Sequence, residues 1–324
     1  MKNISYLLSI LLLISSCSED EDNTPNYNLD FKQEMCDFVI EISEYAKSKK
    51  PNFIIIPQNG QELVTINGEE DGTPSGQYLN AIDGVGREDL FYGYDKDDIA
   101  TPESENEYMM SYLYICESNN VEVLTTDYCS TESKMDDSYA QNNAKGFISF
   151  SAPDRELNQI PDYPTQAYNS HEYGVYSLAD AKNFLYLLNP EKFSNKQDYI
   201  NAISNTSYDI IIIDCFYNGE LLTTNDVAQL KAKQNSIPRL VISYMSIGEA
   251  EDYRYYWQTG WDSSKPNWIE AENPDWEGNY KVKYWETDWR NIIYGSVDSY
   301  LDKIMTVGFD GVYMDIIDAF EYFE

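Results

Sequence analysis

The 324 residues suffice for one large domain or two small ones, and an apolar share of 42% argues against general disorder. With 22 basic against 56 acidic side chains, the formal charge of −34 opposes binding of nucleic acid or anionic lipid through the surface. The one histidine, His171 in "YNSHEYG", makes Ser-His-Asp, Cys-His and catalytic zinc chemistry poor fits, so a reaction would fall to the plentiful carboxylates.

In chain order, Lys2 and the apolar run "ISYLLSILLLI" read as an export signal, too short for a membrane span. The "SSC" that follows resembles a bacterial lipobox, which implies a signal peptide over 1–16, cleavage before Cys17 and acylation of its thiol. Residues 17–28, with the acidic "SEDEDNTPN", read as a flexible tether. In some Gram-negative bacteria such a run resembles a surface-export mark, so the expected location is an outer-membrane lipoprotein, surface-facing or periplasmic. Cys36, Cys116, Cys129 and Cys215 form no CxxC or zinc spacing and leave disulfides open.

From residue 30 to 48, Phe31, Met35, Phe38, Ile42 and Tyr45 fall at helical spacing, and Pro51 ends the helix. Nine β-type runs follow: "NFIIIPQNG", "AIDGVGRE", "VEVLTTDY", "KGFISFS", "NFLYLLN", "YDIIIID", "PRLVISYM", "YKVKYW" and "FDGVYMD". Of these, "NFLYLLN" suits a helix equally well. Several are continuously apolar, as strands covered on both faces are. The helical segments "NDVAQLKAK" and "WRNIIYGSVDSYLDKIMTVG" alternate with them; the second carries Ile292, Ile293, Val297, Leu301 and Ile304 on one face, and Gly308 ends it. Strand–helix alternation indicates a parallel sheet, and over residues 29–324 the runs fit a single-domain (β/α)8 TIM barrel with one strand to spare. An open doubly wound sheet is the alternative, although no glycine-rich phosphate loop follows any strand.

Nearly every strand ends in polar residues: Gln58 and Asn59, Arg87 and Glu88, Asp127, Asp214, Glu249 and Glu251, Asp315 and Asp318. In a barrel these ends converge on one mouth, where active sites of that fold lie. Any one of them can instead cap a helix. All six tryptophans lie between Trp257 and Trp289, and flat aromatic faces suit a saccharide cleft as well as loop packing.

The segments "YDIIIIDCF", "VISYMSIGEAEDYRYYW", "GNYKVKYWETDWRNII" and "GFDGVYMDIIDAFEYF" resemble glycoside hydrolase family 114, the endo-α-1,4-polygalactosaminidase-like barrels, most closely the bacterial extracellular branch. The run Gly248 to Arg254 carries the G-x-x-E-D-[YW]-R pattern of the family. In that family the parts similar to residues of about 29 to 162 come last, whereas here they come first, so the resemblance implies a circular permutant. The helix over 30–48 would then pack beside the segment that follows Asp315, where the family's next helix packs.

Glycoside hydrolysis needs one carboxylic acid to protonate the leaving oxygen and a second carboxylate to attack carbon or activate water. Both the strand-end positions and the resemblance point to Asp214 and Glu251, with Glu251 cast as the acid and Asp214 as nucleophile or base. Glu249 competes with Glu251 for that role, and Arg254 is expected to pair a carboxylate. Gln58, Asn59, Glu88, Asp127, Tyr244, Glu249, Arg254, Trp285, Asp315 and Asp318 are the expected substrate contacts, with Asp318 able to cap a turn instead. The expected partner is a polysaccharide, cationic if deacetylated, with no cofactor, no metal ("DKDDIATPE" lacks the glycine of a calcium loop) and no membrane contact beyond the lipid anchor. A glycan-binding lipoprotein without catalysis is the alternative function.

Overall fold

The computed structural model describes residues 29–261 and 263–324. The export signal, Cys17 and the whole tether lie outside the described residues.

Eight parallel strands form the centre: β1 (Ile54–Pro57), β2 (Gly84–Glu88), β3 (Glu122–Tyr128), β4 (Ile148–Ala152), β5 (Phe184–Leu187), β6 (Ile210–Asp214), β7 (Leu240–Ser246) and, after three short strands given below, β11 (Gly311–Asp315). One sheet has the order β1-β11-β7-β6-β5 and a second the order β2-β3-β4. Single parallel bridges join the two sheets on both sides, Gln58 with Gly86 and Ser149 with Asn183. The carboxyl ends of all eight strands thus lie on one side of the molecule. "NFLYLLN" is a strand, paired residue for residue with the four isoleucines of β6.

The ninth run, "YKVKYW", is not part of this parallel system. It supplies β10 (Asn279–Val282), the middle of an antiparallel sheet with β8 (Glu249–Glu251) and β9 (Ile269–Glu272). Helices α1 (Phe31–Lys49), α2 (Gly76–Ala81), α3 (Glu103–Ser118), α4 (Glu132–Lys145), α5 (Lys196–Ser204), α6 (Thr224–Leu230), α7 (Thr287–Ile293) and α8 (Tyr300–Val307) complete the layers. The single long helix expected over 289–308 is two: Gly295 takes φ 103° between them, which breaks the helix, and Val297 is 83% exposed rather than part of the apolar face.

Helix α1 forms where the spacing predicts. Asp30 caps it by accepting the Gln33 N–H at 3.0 Å, and Met35, Phe38 and Ile42 are fully buried along one stripe. It lies against the last residues described: Phe31 meets Phe323 at 5.5 Å between ring centroids, and Lys32 pairs with Glu324 at 3.6 Å. Arg290 of α7 clasps Glu41 at 2.9 Å and Glu34 at 3.1 Å. The helix therefore docks next to the turn that follows β11.

The amino end of β6 is fixed by buried charge. Asp209 accepts from Lys233 Nζ at 2.5 Å, contacts His171 Nε2 at 2.9 Å and accepts the Lys182 N–H at 2.8 Å. His171 thus serves this anchor at the strand's amino end, opposite the carboxyl end that carries Asp214. Removing one member of a buried pair strands the other charge, which costs about 3–5 kcal/mol. Asp209→Asn is expected to lower the urea midpoint by a stability loss of that order. A midpoint equal to wild type would mean that Lys233 is not held by this pair.

Candidate active site

Buried apolar residues carry β6 as far as its last position, where Asp214 reaches a cleft of ≈ 570 Å³ at the carboxyl ends of the strands. Asp214 Oδ1 accepts the Phe216 N–H at 2.8 Å, which fixes the carboxyl over its own turn. Its Oδ2 accepts from Arg254 Nη1 at 2.5 Å. The same guanidinium donates to Glu251, Nε to Oε2 at 2.5 Å and Nη2 to Oε1 at 3.1 Å. Arg254 thus bridges two carboxylates from different elements, and the rings of Phe216, Tyr253 and Tyr300 enclose it at 5.1–5.7 Å. Burial pushes the Asp214 carboxyl above its ordinary range, and Arg254 opposes that rise. Tyr253 donates to Glu251 Oε1 at 2.6 Å, so both oxygens of Glu251 already accept hydrogen bonds.

Glu251 reaches this position because the chain leaves the parallel sheet after β7. Gly248 makes the exit: a Cβ there would stand 2.2 Å from the Ile316 carbonyl oxygen, closer than real atoms approach. Strand β8 follows at once, pairing Glu249 with Lys281 and Glu251 with Asn279 of β10. Two residues apart on one strand, Glu249 and Glu251 share a face, and both line the cleft. Glu249 Oε1 accepts from Asn273 at 2.8 Å, whereas its buried Oε2 has no partner among the described residues.

Across the cleft, Asp315 ends β11. Its Oδ1 accepts from Gln58 Nε2 at 3.1 Å and the Ile316 N–H at 2.8 Å, and Oδ2 accepts from the Tyr244 hydroxyl at 2.9 Å. The next residue, Ile316, sits at φ 60°, a conformation rare for a β-branched side chain and one that turns its N–H onto the carboxyl. The Gln58 amide also donates to Glu88 Oε2 at 2.8 Å, joined there by Asn59 at 3.0 Å. Burial, with Glu88 nearby, pushes Asp315 up to about 8. Burial likewise pushes Asp318 up to about 6.

Ten of the twelve residues named from sequence line this cleft: Asp214, Glu251, Gln58, Asn59, Glu88, Tyr244, Glu249, Arg254, Asp315 and Asp318. Two do not. Asp127 is fully buried, accepting the Phe91 and Tyr92 N–H groups and the Ser138 hydroxyl, which binds a loop and helix α4 to β3. Trp285 packs among Phe31 and Phe323 beneath α1. The tryptophan that reaches the cleft is Trp276, half exposed in the β9–β10 turn. Sequence reading missed Tyr128 and Tyr186, whose hydroxyls donate to Glu88 (2.5 Å) and Gln58 (3.1 Å), and Arg155, which lies over the Tyr128 ring. Tyr186 falls inside β5, and Tyr128, although it ends β3, is an aromatic residue where the strand-end rule looked for charged and amide side chains.

Residues 166–324 match the family model described as glycoside-hydrolase family GH114. Uncharacterised proteins of Methanocaldococcus jannaschii, Thermotoga maritima and Deinococcus radiodurans are similar to the chain, at 46% identity over 126 residues, 38% over 122 and 38% over 125. These stretches cover 38%, 37% and 39% of this chain. They cover 34%, 36% and 38% of the relatives, so the match spans about a third of their length.

The pH dependence of stability follows from Asp315. It ionises near 3.8 in the unfolded chain and at about 8 in the fold, so between those values only the folded chain holds the proton. Its contribution is complete below pH 3.8 and is lost as pH rises through 8, with the slope of one proton. The stability difference between Asp315→Asn and wild type is expected to shift in favour of the variant across that window, as read by urea midpoints at several pH values. Parallel curves would show that Asp315 ionises as an ordinary surface carboxyl.

Proposed function

We propose that the chain is a glycoside hydrolase of family 114 acting on an α-linked amino-sugar polysaccharide of the polygalactosamine kind, with the Arg254-bridged carboxylates Asp214 and Glu251 at its reacting centre. The observation that carries this reading is the Arg254 bridge, which holds two carboxylates from different elements in one cleft. Two carboxyl groups flanking a glycosidic bond are the equipment of this reaction. Their contacts favour a different division of labour from the one expected from sequence. Both oxygens of Glu251 are held by the Arg254 guanidinium, and a carboxyl held by a cation suits a nucleophile or base rather than an acid.

The scaffold for this chemistry is, on the same reading, a closed (β/α)8 barrel, supported by the bridges at both seams between the two sheets. It is also a circular permutant: the family match begins at residue 166, after the stretch of about 29 to 162, and Phe31 touches Phe323. Permutation is tolerated where chain ends lie close together. A lipoprotein anchored through Cys17 on the cell envelope fits the first residues, and palmitate labelling lost in Cys17→Ala would support it. A net charge of −34 and the carboxylates of the cleft suit a cationic glycan better than an acidic one.

The test is turnover of a panel of amino-sugar polymers by residues 29–324. Asp214→Asn and Glu251→Gln are each expected to cut turnover by at least about 100-fold while thermal unfolding stays cooperative. Full activity in either variant would reject the pair, and a wild type that binds the polymer without cleaving it would favour the binding protein. Cleavage of the cationic polymer is also expected to slow as salt rises. A rate indifferent to salt would remove charge from the account of substrate choice.

A further inference from the structure

The cleft holds two bridged carboxyl pairs that differ in what joins them. Asp214 and Glu251 share the guanidinium of Arg254, so the assembly carries one net negative charge when both are ionised. Asp315 and Glu88 share only the neutral amide of Gln58, and among the described residues no lysine or arginine forms an ion pair with either. Ionising both would place two uncompensated charges on one amide in a largely buried site. Pairs of titratable groups in such contrasting surroundings separate into a charged member and a proton-bearing one.

The groups around Asp315 add no positive charge. Tyr244 faces it from β7, Glu88 from β2, Tyr186 from β5 through Gln58, Tyr313 from its own strand and Asp318 from the following turn. Arg87, the nearest basic residue in sequence to Glu88, turns its guanidinium to the Glu88 carbonyl and to Gln61 instead. Ile316 at φ 60° and the Gln58 amide fix Oδ1, which leaves Oδ2 as the oxygen beside Tyr244 in the cleft. In the sheet a single strand, β7, separates β11 from β6, so the backbones carrying Asp315 and Asp214 stand on the order of 10 Å apart. Arg254 holds Glu251 beside Asp214, so the carboxyl groups of Asp315 and Glu251 can flank one glycosidic bond.

Resting on the hydrolase reading above, we propose that Asp315 is the acid of the reaction, holding its proton because an amide rather than a cation joins it to Glu88. The Asp315 proton passes to the glycosidic oxygen as the bond from that oxygen to the anomeric carbon breaks and its electron pair goes to the oxygen. Glu251, or a water that it activates, forms the new bond to carbon. Where Glu251 itself bonds to carbon, water then displaces it and gives its proton to the Asp315 carboxylate; where Glu251 activates a water, that water's proton goes to Glu251 and solvent returns one to Asp315.

Two readouts test this. The first needs no substrate: infrared titration of wild type against Asp315→Asn is expected to show one protonated carboxyl at pH 7 that the variant lacks. Its absence would overturn the assignment. The second compares a galactosamine oligomer with 2,4-dinitrophenyl α-galactosaminide, whose leaving group needs no proton. Asp315→Asn is expected to lose at least about 100-fold on the oligomer and less than about 10-fold on the activated glycoside, whereas Glu251→Gln loses on both. Equal losses by Asp315→Asn on the two substrates would overturn the acid role. Should that variant fail to fold, wild type alone is expected to show an alkaline limb in kcat/KM for the oligomer that is missing for the activated glycoside; identical profiles would count against it. A wild type inert on both substrates strikes the hydrolase reading, and the infrared result separates that failure from this one.

Discussion

One guanidinium organises the cleft. Arg254 is buried, and a buried cation persists only when it is paired and hydrogen-bonded. Its partners come from different elements, the end of β6 and a strand of the antiparallel cap. The bridge therefore ties the cap to the parallel sheet and gathers two carboxylates in one step. Without it, Asp214 and Glu251 would repel each other in a site from which much water is excluded, and the cap would lose a polar tie to the sheet.

Much of the surrounding structure serves to bring Arg254 and Glu251 to that position. Gly248 permits the chain to turn off β7 against the Ile316 carbonyl, where a larger residue would collide. The Trp289 indole N–H donates to the Ile247 carbonyl at 2.8 Å and satisfies the backbone at the turn. Pairing of β8 with β10 then sets which face Glu249 and Glu251 present. Ile316, held at φ 60° on the other side of that contact, does the corresponding work for Asp315. A single tight contact between Gly248 and Ile316 thus lies behind both bridged pairs.

The parallel strands were legible because their apolar runs are continuous and their ends are polar, and those two features do not depend on distant contacts. The same logic located most of the cleft, since the strands carry their ends to one side. It failed where a residue's surroundings come from another part of the chain. Asp127 looks like a strand-end carboxylate, yet two loop N–H groups and helix α4 claim it. Trp285 lies in an aromatic loop, but α1, from the opposite end of the sequence, covers it. The helix over 289–308 has a plausible apolar face until Gly295 interrupts it. The roles within the carboxylate pair were the least legible, because they depend on which oxygens Arg254 and Tyr253 occupy.

The central claim is that this cleft breaks a glycosidic bond by adding water. Cleavage of galactosamine polymer in 18O-labelled water tests it directly, with the products read by mass spectrometry. The account predicts one labelled oxygen at each new reducing end, and none in a Glu251→Gln control. Products that form without the label, or that carry a double bond in place of the added water, would contradict it.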